Sequence, residues 1–227
     1  MLKLALIGRE IQHSLSQSVY EEILKAPVNY QLLDYENEKN IPSLSSLLNQ
    51  FDGISVTAPY KSFIFNKVQA SEKAKLVKGV NCIKLASKEI LGTITDYPAT
   101  DLLFKKYYSY KKFARVVLLG DGVMAKIVED ILNREKIGFF QFSRRKNQDF
   151  HDLNHKKKFP QGPTFIINTC SRDYVYSSDV KEGDYFWNFN YHHFAQEYIK
   201  EFCSYIDGKQ LLKEQAKFAL KYWGHKF

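Results

Sequence analysis

The chain has 227 residues, 44% of them hydrophobic and 26% charged, and a formal net charge of +8 at pH 7. This length suits one large domain or two modest ones with a buried core. No apolar run approaches the roughly 20 residues of a membrane span, and MLKLALIGRE is too short and too soon charged for a signal peptide. We therefore expect a soluble, cytoplasmic protein with no membrane partner.

The positive charge is distributed along the chain. Residues 1–100 carry about +1, residues 101–205 about +4 and residues 206–227 about +3. The densest run, Lys156–Lys158, has no aromatic residues interleaved for base stacking, and its usual explanation is a solvated loop. We expect no nucleic-acid partner. A diffuse positive field also attracts anionic small molecules, such as a phosphorylated cofactor or a carboxylate substrate.

The cysteines and histidines lack the spacing of a metal site. Cys82, Cys170 and Cys203 are widely separated, so we interpret them as reduced core thiols. His192 and His193 are adjacent but have no carboxylate or cysteine partner at ligand spacing, which favours surface or partly packed histidines. No metal cofactor is expected.

The first hundred residues alternate short apolar runs with amphipathic stretches, a rhythm typical of an α/β domain with a mostly parallel sheet. Strands are predicted at 4–8, 29–35 and 53–57. Helices are predicted at 16–25 and after Pro42, the second capped near Asn40. The segments 81–86 and 90–93 flank a charged turn and predict a hairpin at one edge of the sheet.

A second unit begins near Arg115. The apolar run 116–119 lacks alternation, as expected of a strand buried on both faces. A glycine turn, a helix over 123–132 and a strand ending before Ser143 follow, within the length of one strand–helix–strand module. Further strands are predicted at 164–169 and 185–189, and the residues after Gly208 have the apolar spacing of a terminal helix.

The turn GDGVMA matches the dinucleotide-binding pattern GxGxxA. Gly120 would allow the tight turn, Gly122 the approach of a pyrophosphate to the backbone, and Ala125 close packing of the helix. Amides at the start of the helix, from Val123 onward, would face phosphate oxygens. A purely structural turn between strand and helix is the alternative, and Asp121 is unfavourable beside phosphate unless its side chain points away.

The next strand ends in Ser143-Arg144-Arg145, where a site that prefers NAD usually has an acidic residue. A carboxylate would repel a 2′-phosphate, whereas a guanidinium can bind it through paired hydrogen bonds. The sequence therefore favours NADP over NAD. A solvated basic turn is the alternative interpretation.

Lys61 ends the segment VTAPYK, just after a predicted strand and a proline. The proline ends the strand where the lysine side chain can project into a cleft, and Asp96, at the end of another predicted strand, is a candidate partner. A lysine at a random position is nevertheless a solvated surface residue. Ser16 also has an ordinary explanation, because a serine at the start of a helix often caps it.

Seven short motifs, taken together, resemble a known protein family. In chain order they are GREIQHSLS, GISVTAPYK, VKGVNCI, GTITD, LLGDGVMA, INTCS and DGKQLLKEQA. Their order over nearly the whole chain resembles that of the shikimate dehydrogenases. The resemblance implies an α/β substrate domain at residues 1–98, completed by a C-terminal helix within residues 206–227. It further implies a Rossmann-like NADP-binding domain at residues 99–205, with a substrate cleft at the junction.

The same resemblance implies an activity and its residues. The activity is the reversible NADPH-dependent reduction of 3-dehydroshikimate to shikimate, on the route to chorismate and the aromatic amino acids. Lys61 matches the proton-donating lysine of the family, and Asp96 matches the aspartate that orients it. The implied substrate-binding residues are Ser14, Ser16, Thr57, Asn81 and Gln215. The implied cofactor-binding residues are Gly120, Gly122, Val123, Ala125, Ser143, Arg144, Arg145, Asn168 and Gly208.

Several positions depart from the family pattern. Ser55 and Ile94 each stand where the family has an asparagine, Lys78 replaces a glycine, and Trp187 takes a tyrosine position. These departures leave shikimate, quinate or another polyol acid open as the substrate. A ligand-binding paralogue without catalysis is the alternative from a different functional class. The sequence is compatible with a monomer or a homodimer.

Overall fold

The computed structural model describes residues 1–108, 113–144, 161–176, 178–191 and 196–227. The chain divides into two compact units, one of Met1–Ala99 with Leu212–Phe227 and the other of Thr100–Leu211. The predictions for Arg145, the Lys156–Lys158 run and the His192–His193 pair concern residues outside the described ranges. Within those ranges, no helix is both long and apolar enough to cross a membrane.

Strands and helices alternate along most of the chain. The strands are β1 (Lys3–Gly8), β2 (Asn29–Asp34), β3 (Gly53–Val56), β4 (Gln69–Ala70), β5 (Cys82–Ala86), β6 (Glu89–Thr93), β7 (Arg115–Leu119), β8 (Phe140–Phe142), β9 (Thr164–Asn168), β10 (Tyr185–Asn188) and β11 (Ser204–Ile206). The helices are α1 (Ser16–Leu24), α2 (Leu44–Leu48), α3 (Lys61–Phe65), α4 (Glu72–Val77), α5 (Asp96–Tyr108), α6 (Val123–Arg134), α7 (Gln196–Phe202) and α8 (Lys209–Trp223). A short 3-10 helix spans Glu38–Asn40.

The first unit is built on a six-stranded sheet with strand order β2-β1-β3-β5-β6-β4. β1 is parallel to both β2 and β3, whereas β5 is antiparallel to β3 and to β6. β1 and β3 are mostly apolar because both of their faces are buried. The predicted hairpin forms between β5 and β6, but it does not lie at the edge, because the short strand β4 pairs with β6 and covers it.

The end of the chain returns to this first sheet through α8. The core there combines α1, α8 and the sheet, and contains Leu4, Tyr20, Val28, Cys82, Ala216, Ala219 and Leu220. The Trp223 indole donates a 3.0 Å hydrogen bond to the carbonyl of Ile83. Its ring lies against Gly53, where an added Cβ atom would be 2.3 Å from the nearest ring atom. These contacts hold the part of α8 from Leu212 onward, which carries Gln215, on the N-terminal sheet.

The helix caps differ from the sequence expectations. Ser16 is the first residue of α1, and Leu15 takes the cap position without a side-chain hydrogen bond. The cap of α2 is Ser43, whose hydroxyl accepts a 3.2 Å hydrogen bond from the Ser46 amide. Asn40 instead ends the 3-10 helix, too far before α2 to reach its free amides.

The second unit is built on a five-stranded sheet of order β11-β10-β9-β7-β8, in which every neighbouring pair is parallel. The chain passes from β7 to β8 on one side and then to β9, β10 and β11 on the other. In open α/β sheets, ligands bind beyond the carboxyl ends of the strands where the order reverses in this way. Gly120 and Thr169 directly follow β7 and β9, so the glycine turn lies at that point.

The core of the second unit lies around its two central strands. It contains Val117, Leu119, Phe142, Ile166, Tyr174, Tyr176, Val180, Phe186 and Ile199. β9 is buried along its whole length and β7 along all but its first residue, which explains their unbroken apolar runs. The predicted α/β class, with a Rossmann-like second unit, is confirmed.

Candidate active site

Lys61 and Asp96 form an ion pair in the first unit. The Lys61 ammonium nitrogen lies 2.6 Å from an Asp96 carboxylate oxygen, and the two side chains are 14% and 9% exposed. Lys61 begins α3 immediately after the turn that follows β3, and the Val80 amide donates a 3.0 Å hydrogen bond to its carbonyl. The prediction that Asp96 ends a strand is wrong, because Asp96 is the first residue of α5. The pair is thus a protected but solvent-accessible ammonium beside a carboxylate.

A buried polar network lies next to this pair. Asn81 accepts a 2.7 Å hydrogen bond from the backbone amide of Thr95, the residue before Asp96. The Asn81 amide group donates to the Thr95 hydroxyl at 3.0 Å and to the Gln215 carbonyl at 3.4 Å. The network joins the β5 start, the α5 start and α8, so Asn81 and Gln215 are brought together as the motifs implied. Thr95 was not anticipated, although its position between Ile94 and Asp96 within GTITD was a signal.

Ser14 and Ser16 meet at the start of α1. The Ser14 hydroxyl accepts a 3.2 Å hydrogen bond from the Ser16 amide and donates to the Ser16 hydroxyl at 3.1 Å. Since Ser16 does not cap the helix, its hydroxyl is available to a ligand. Hydroxyl donors beside the positive end of a helix dipole favour an anionic group such as a carboxylate.

Thr57 and Ser55 lie on the strand that leads to Lys61. The Thr57 amide continues the pairing of β3 with β1 by donating a 2.9 Å hydrogen bond to Ile7. Ser55 is nearly buried, and its hydroxyl lies 3.2 Å from the phenol oxygen of Tyr20 on α1. The contact with Tyr20 was missed. Its sequence signal was that Tyr20 follows Ser16 at the four-residue spacing of one helix face.

Two of the family departures have a structural account. Lys78 has a φ of 52° in the left-handed region at the end of α4, where glycine is the favoured residue, so the lysine takes a strained backbone conformation. Trp187 is fully buried, with its ring centroid 4.7 Å from that of Phe189 and 5.3 Å from that of Tyr107. It serves as core packing in the second unit. Ile94 is also buried, at 1% exposure.

The glycine turn of the second unit has the shape of a phosphate cradle. Gly120 has a φ of 107°, and an added Cβ atom would lie 2.5 Å from the Thr169 hydroxyl oxygen, so only glycine fits. An added Cβ on Gly122 would meet no atom of the described residues within 4 Å. Gly122 is the N-cap of α6, and Ala125 is fully buried against the unit. The start of α6 at Val123 therefore directs the positive end of its helix dipole toward this turn, where an anion is favoured.

The remaining predicted cofactor residues surround this turn or support it. Ser143 follows β8 and is buried, whereas Arg144 is exposed. A hydrogen bond from Ser171 is the main cause that lowers the pKa of Asp173, and the positive charge of Arg144 contributes to it. Arg144 is thus an exposed cation near the carboxyl ends of the strands.

Asn168 and Gly208 have their polar groups engaged inside the second unit. The Asn168 amide group donates to the Asn188 side chain at 3.2 Å, and its oxygen accepts from the Cys170 amide at 3.1 Å. The Gly208 amide donates to the Asn190 carbonyl at 3.2 Å. A Cβ atom on Gly208 would be 2.2 Å from the Phe189 carbonyl oxygen, so this glycine permits a close approach of two chain segments.

No metal site is formed by the described parts of the chain, where no group of three or more His, Cys, Asp or Glu side chains is placed to hold an ion. Burial raises the pKa of the Cys170 thiol to about 12, although Arg144 acts in the opposite direction. That thiol is therefore protonated at neutral pH and is not an activated nucleophile.

Comparison with known proteins finds similarity to the same family that the motifs resemble. The sequence profile of the shikimate dehydrogenase substrate binding domain matches residues 6–83. An NADP(+)-dependent shikimate dehydrogenase from Prochlorococcus marinus subsp. pastoris is 26% identical, with 97% of this chain and 90% of the relative covered. One from Saccharolobus solfataricus is also 26% identical, with 97% and 88% covered.

Solved structures extend the likeness to the whole fold. The crystal structure of shikimate dehydrogenase 1 from Peptoclostridium difficile has a TM-score of 0.78 and 21% identity, and covers 100% of this chain and 93% of its own. At this identity the likeness establishes the fold. The sequence profile of the substrate-binding domain matches part of the first unit, and the two relatives align along nearly the whole chain, so this chain is similar to NADP-dependent shikimate dehydrogenases.

Proposed function

We propose that this protein is an NADP-dependent shikimate dehydrogenase, which reversibly reduces 3-dehydroshikimate to shikimate on the route to chorismate and the aromatic amino acids. The observation that carries the proposal is the Lys61–Asp96 ion pair beside the Asn81–Thr95–Gln215 network. We assign substrate binding to residues 1–98 and 206–227, and NADP binding to residues 99–205.

Lys61 is the proton donor in this proposal. Reduction adds a hydride to the carbonyl carbon and a proton to its oxygen, and bound NADPH would supply the hydride. As negative charge develops on that oxygen, the Lys61 ammonium stabilises it and transfers the proton; in the reverse direction the neutral amine takes the proton back. Asp96 fixes the ammonium by its 2.6 Å contact and keeps an oxygen free to accept a hydrogen bond from a substrate hydroxyl.

The other polar side chains suit a small hydroxylated acid. The hydroxyls of Ser14 and Ser16 at the start of α1 would donate to the substrate carboxylate. Thr57, Asn81 and Gln215 offer hydroxyl and amide groups for the ring hydroxyls. Because Asn81 and Gln215 already share a hydrogen bond, they are held in place before the substrate arrives.

The second unit fits NADP by its backbone and by its charge. Gly120 makes the turn, the space in front of Gly122 admits a pyrophosphate, and the α6 amides face it. Arg144, together with Ser143 and Arg145, would hold the 2′-phosphate. These residues bind and orient the nucleotide and take no part in the proton transfer.

The test is the appearance of NADPH absorbance when purified protein is mixed with NADP and shikimate, then with NADP and quinate, and with NAD in place of NADP. We expect turnover with shikimate and NADP, and a much lower rate with NAD. Turnover only with quinate would replace the substrate in the proposal. A flat trace with both acids would leave a ligand-binding role in place of the enzyme.

We also place the activity in the cytoplasm, because the proposed substrate and NADPH are small dissolved metabolites. The protein would act as a monomer or a homodimer. Size-exclusion chromatography with light scattering decides between these two states, and fractionation of cells that express the tagged protein tests the location.

A further inference from the structure

We propose that Tyr20 and Ser55 act as one coupled pair that sets substrate specificity, with Ser55 donating a hydrogen bond to the substrate and Tyr20 positioning Ser55. The inference rests on the proposed function and deepens it at one wall of the same site. The two hydroxyl oxygens lie 3.2 Å apart, Tyr20 is fully buried and Ser55 is 7% exposed. The pair therefore reaches the site only through Ser55.

Ser55 belongs to the substrate site by its place on β3. Thr57 directly follows β3 and its amide still pairs with β1, so the alternation of the strand continues and places Thr57 on the same face as Ser55. Ser55 also pairs across the sheet with Cys82, and the next residue, Val56, donates a 2.8 Å hydrogen bond to the Asn81 carbonyl. On α1, Ser16 and Tyr20 are the buried residues and stand one helical turn apart. The two elements thus bring Ser16, Ser55 and Thr57 to one region of the unit.

Tyr20 is held rigidly. Its ring centroid lies 5.7 Å from that of Tyr30 and 5.8 Å from that of Trp223, within the core formed by α1, α8 and the sheet. Because the ring cannot move aside, the position of its hydroxyl is fixed, and so is the partner offered to Ser55.

Within this pair we assign the Tyr20 phenol as the donor. Complete burial, followed by the neighbouring Tyr30 and Cys82, raises the pKa of the Tyr20 phenol well above its usual value, so the phenol stays protonated. The neutral phenol, the more acidic of the two hydroxyls, donates to the Ser55 oxygen. The Ser55 proton is then directed away from Tyr20 and serves a substrate oxygen.

The same contact explains why serine stands at a family asparagine position. In the same rotamer, an asparagine would place its Cγ atom where the serine oxygen lies, and its amide atoms beyond it, against the Tyr20 hydroxyl. An asparagine would therefore have to turn its amide group away from Tyr20 and toward the substrate, and the serine leaves that space open. The pocket therefore accepts a more heavily hydroxylated acid of the quinate type beside shikimate, with a weaker preference between them.

A double-mutant cycle tests the coupling. The variants are Tyr20→Phe, Ser55→Asn and the double variant, each measured for kcat and KM with shikimate and with quinate. We expect Tyr20→Phe to raise KM for shikimate by about threefold to tenfold, the value of one ordinary hydrogen bond, with little change in kcat. Ser55→Asn alone should have a lower kcat/KM with shikimate than the wild-type protein. Adding Tyr20→Phe should restore this kcat/KM and shift the preference between the two acids toward shikimate by about tenfold.

The matched control is Tyr30→Phe, which removes a phenol hydroxyl from the same aromatic group and should leave both KM values unchanged. Melting temperature and circular dichroism show whether each variant is folded. If Tyr20 has a purely structural role, the losses of kcat/KM in the two single variants add up in the double variant and Ser55→Asn is not rescued. That result, with normal wild-type turnover, overturns the proposed Tyr20–Ser55 pair and leaves the proposed function in place. A wild-type protein that neither turns over nor binds either acid by calorimetry overturns the proposed function and, with it, the pair.

Discussion

The two units carry their chemistry in different ways. In the first unit the candidate site consists of side chains from distant parts of the chain, and Asn81 and Gln215, which share a hydrogen bond, are 134 residues apart. In the second unit it consists mainly of backbone, namely a glycine with a φ of 107° and the start of a helix capped by a second glycine. The first arrangement depends on tertiary packing, whereas the second is encoded within a few consecutive residues.

This difference predicts how each unit responds to substitution. A changed side chain in the first unit should remove one chemical function and leave the rest of the site in place. A changed glycine in the second unit should act through shape, either on the protein itself or on the bound nucleotide. The following substitutions test that contrast.

Lys61→Ala should have the largest effect. Loss of a positioned proton donor lowers kcat by about 10²- to 10⁴-fold. Shikimate binding, measured by calorimetry, should change far less, because other side chains provide most of its hydrogen bonds. The control is Lys67→Ala, at an exposed lysine whose ammonium lies 4.7 Å from the Phe63 ring centroid. Unchanged NADPH production by Lys61→Ala would contradict the mechanism.

Asp96→Asn should reduce both activity and stability. The substitution leaves the Lys61 ammonium without its carboxylate in a setting where both side chains are largely buried. Breaking such a pair lowers the free energy of unfolding by about 3 kcal/mol, which urea denaturation would detect.

Asp101→Asn is the matched control, because it removes a carboxylate from the same helix. Asp101 contacts Arg134 and, at 3.2 Å, the largely exposed Lys105. Pairs of this kind contribute about 1 kcal/mol or less. Equal losses of stability in the two variants would show that burial of the Lys61–Asp96 pair has no energetic consequence.

The two glycines of the nucleotide turn should respond oppositely. Gly120→Ala introduces a Cβ atom 2.5 Å from the Thr169 hydroxyl at a φ of 107°, and should cost about 1–3 kcal/mol of stability. The added Cβ of Gly122→Ala meets no atom of the described segments within 4 Å, and Gly122 has a φ of −78°, so the stability cost should stay below about 1 kcal/mol.

Nucleotide binding separates the same two variants further. The added methyl group of Gly122→Ala occupies the space proposed for the pyrophosphate and should weaken NADP binding about tenfold, the loss of one hydrogen bond to a charged group. Fluorescence titration with NADPH measures this change. If Gly122→Ala binds NADPH as tightly as the wild-type protein, the turn is structural and the nucleotide lies elsewhere.

The sequence was most informative where structure is local. The apolar run of β7, the spacing of Gly120 and Gly122, and the periodicity of α6 all depend on near neighbours, and their observed bounds differ from the predicted ones by at most two residues. The family motifs likewise paired Lys61 with Asp96, which form an ion pair, and assigned Asn81 and Gln215 to one substrate-binding set, whose two members share a hydrogen bond.

The failures lie where the outcome depends on packing between distant segments. The short elements α3, α4, α7, β4 and β11 were not predicted, since short elements carry little periodicity of their own and are stabilised by tertiary contacts. The 13-residue helix α5 was also missed. The contact between Tyr20 and Ser55 joins α1 to β3 and has no local pattern. Asp96 was expected to end a strand, but the chain turns after β6, and the polar Thr95 bonds to Asn81 as α5 begins.

The smallest predicted effect concerns alkaline stability of the second unit. Burial, with a smaller effect of Asp184, raises the pKa of Cys203 from its ordinary value near 9.0 to about 11. The folded state therefore holds this proton more tightly than the unfolded state. The resulting stability is fully present below about pH 9 and is lost as pH rises toward about 11.

Cys203→Ala removes this one contribution. The urea midpoint of the wild-type protein should fall between pH 8 and pH 10.5, and that of Cys203→Ala should fall less over the same interval. Ser204→Ala, at the exposed neighbouring position, should keep the wild-type slope because it removes no group that titrates in this range. An identical slope in Cys203→Ala would mean that the thiol is as accessible to hydroxide in the folded protein as in the unfolded chain. Such a result would contradict the packing of Cys203 against the core of the second unit, where its thiol donates a 3.3 Å hydrogen bond to the Ile199 carbonyl.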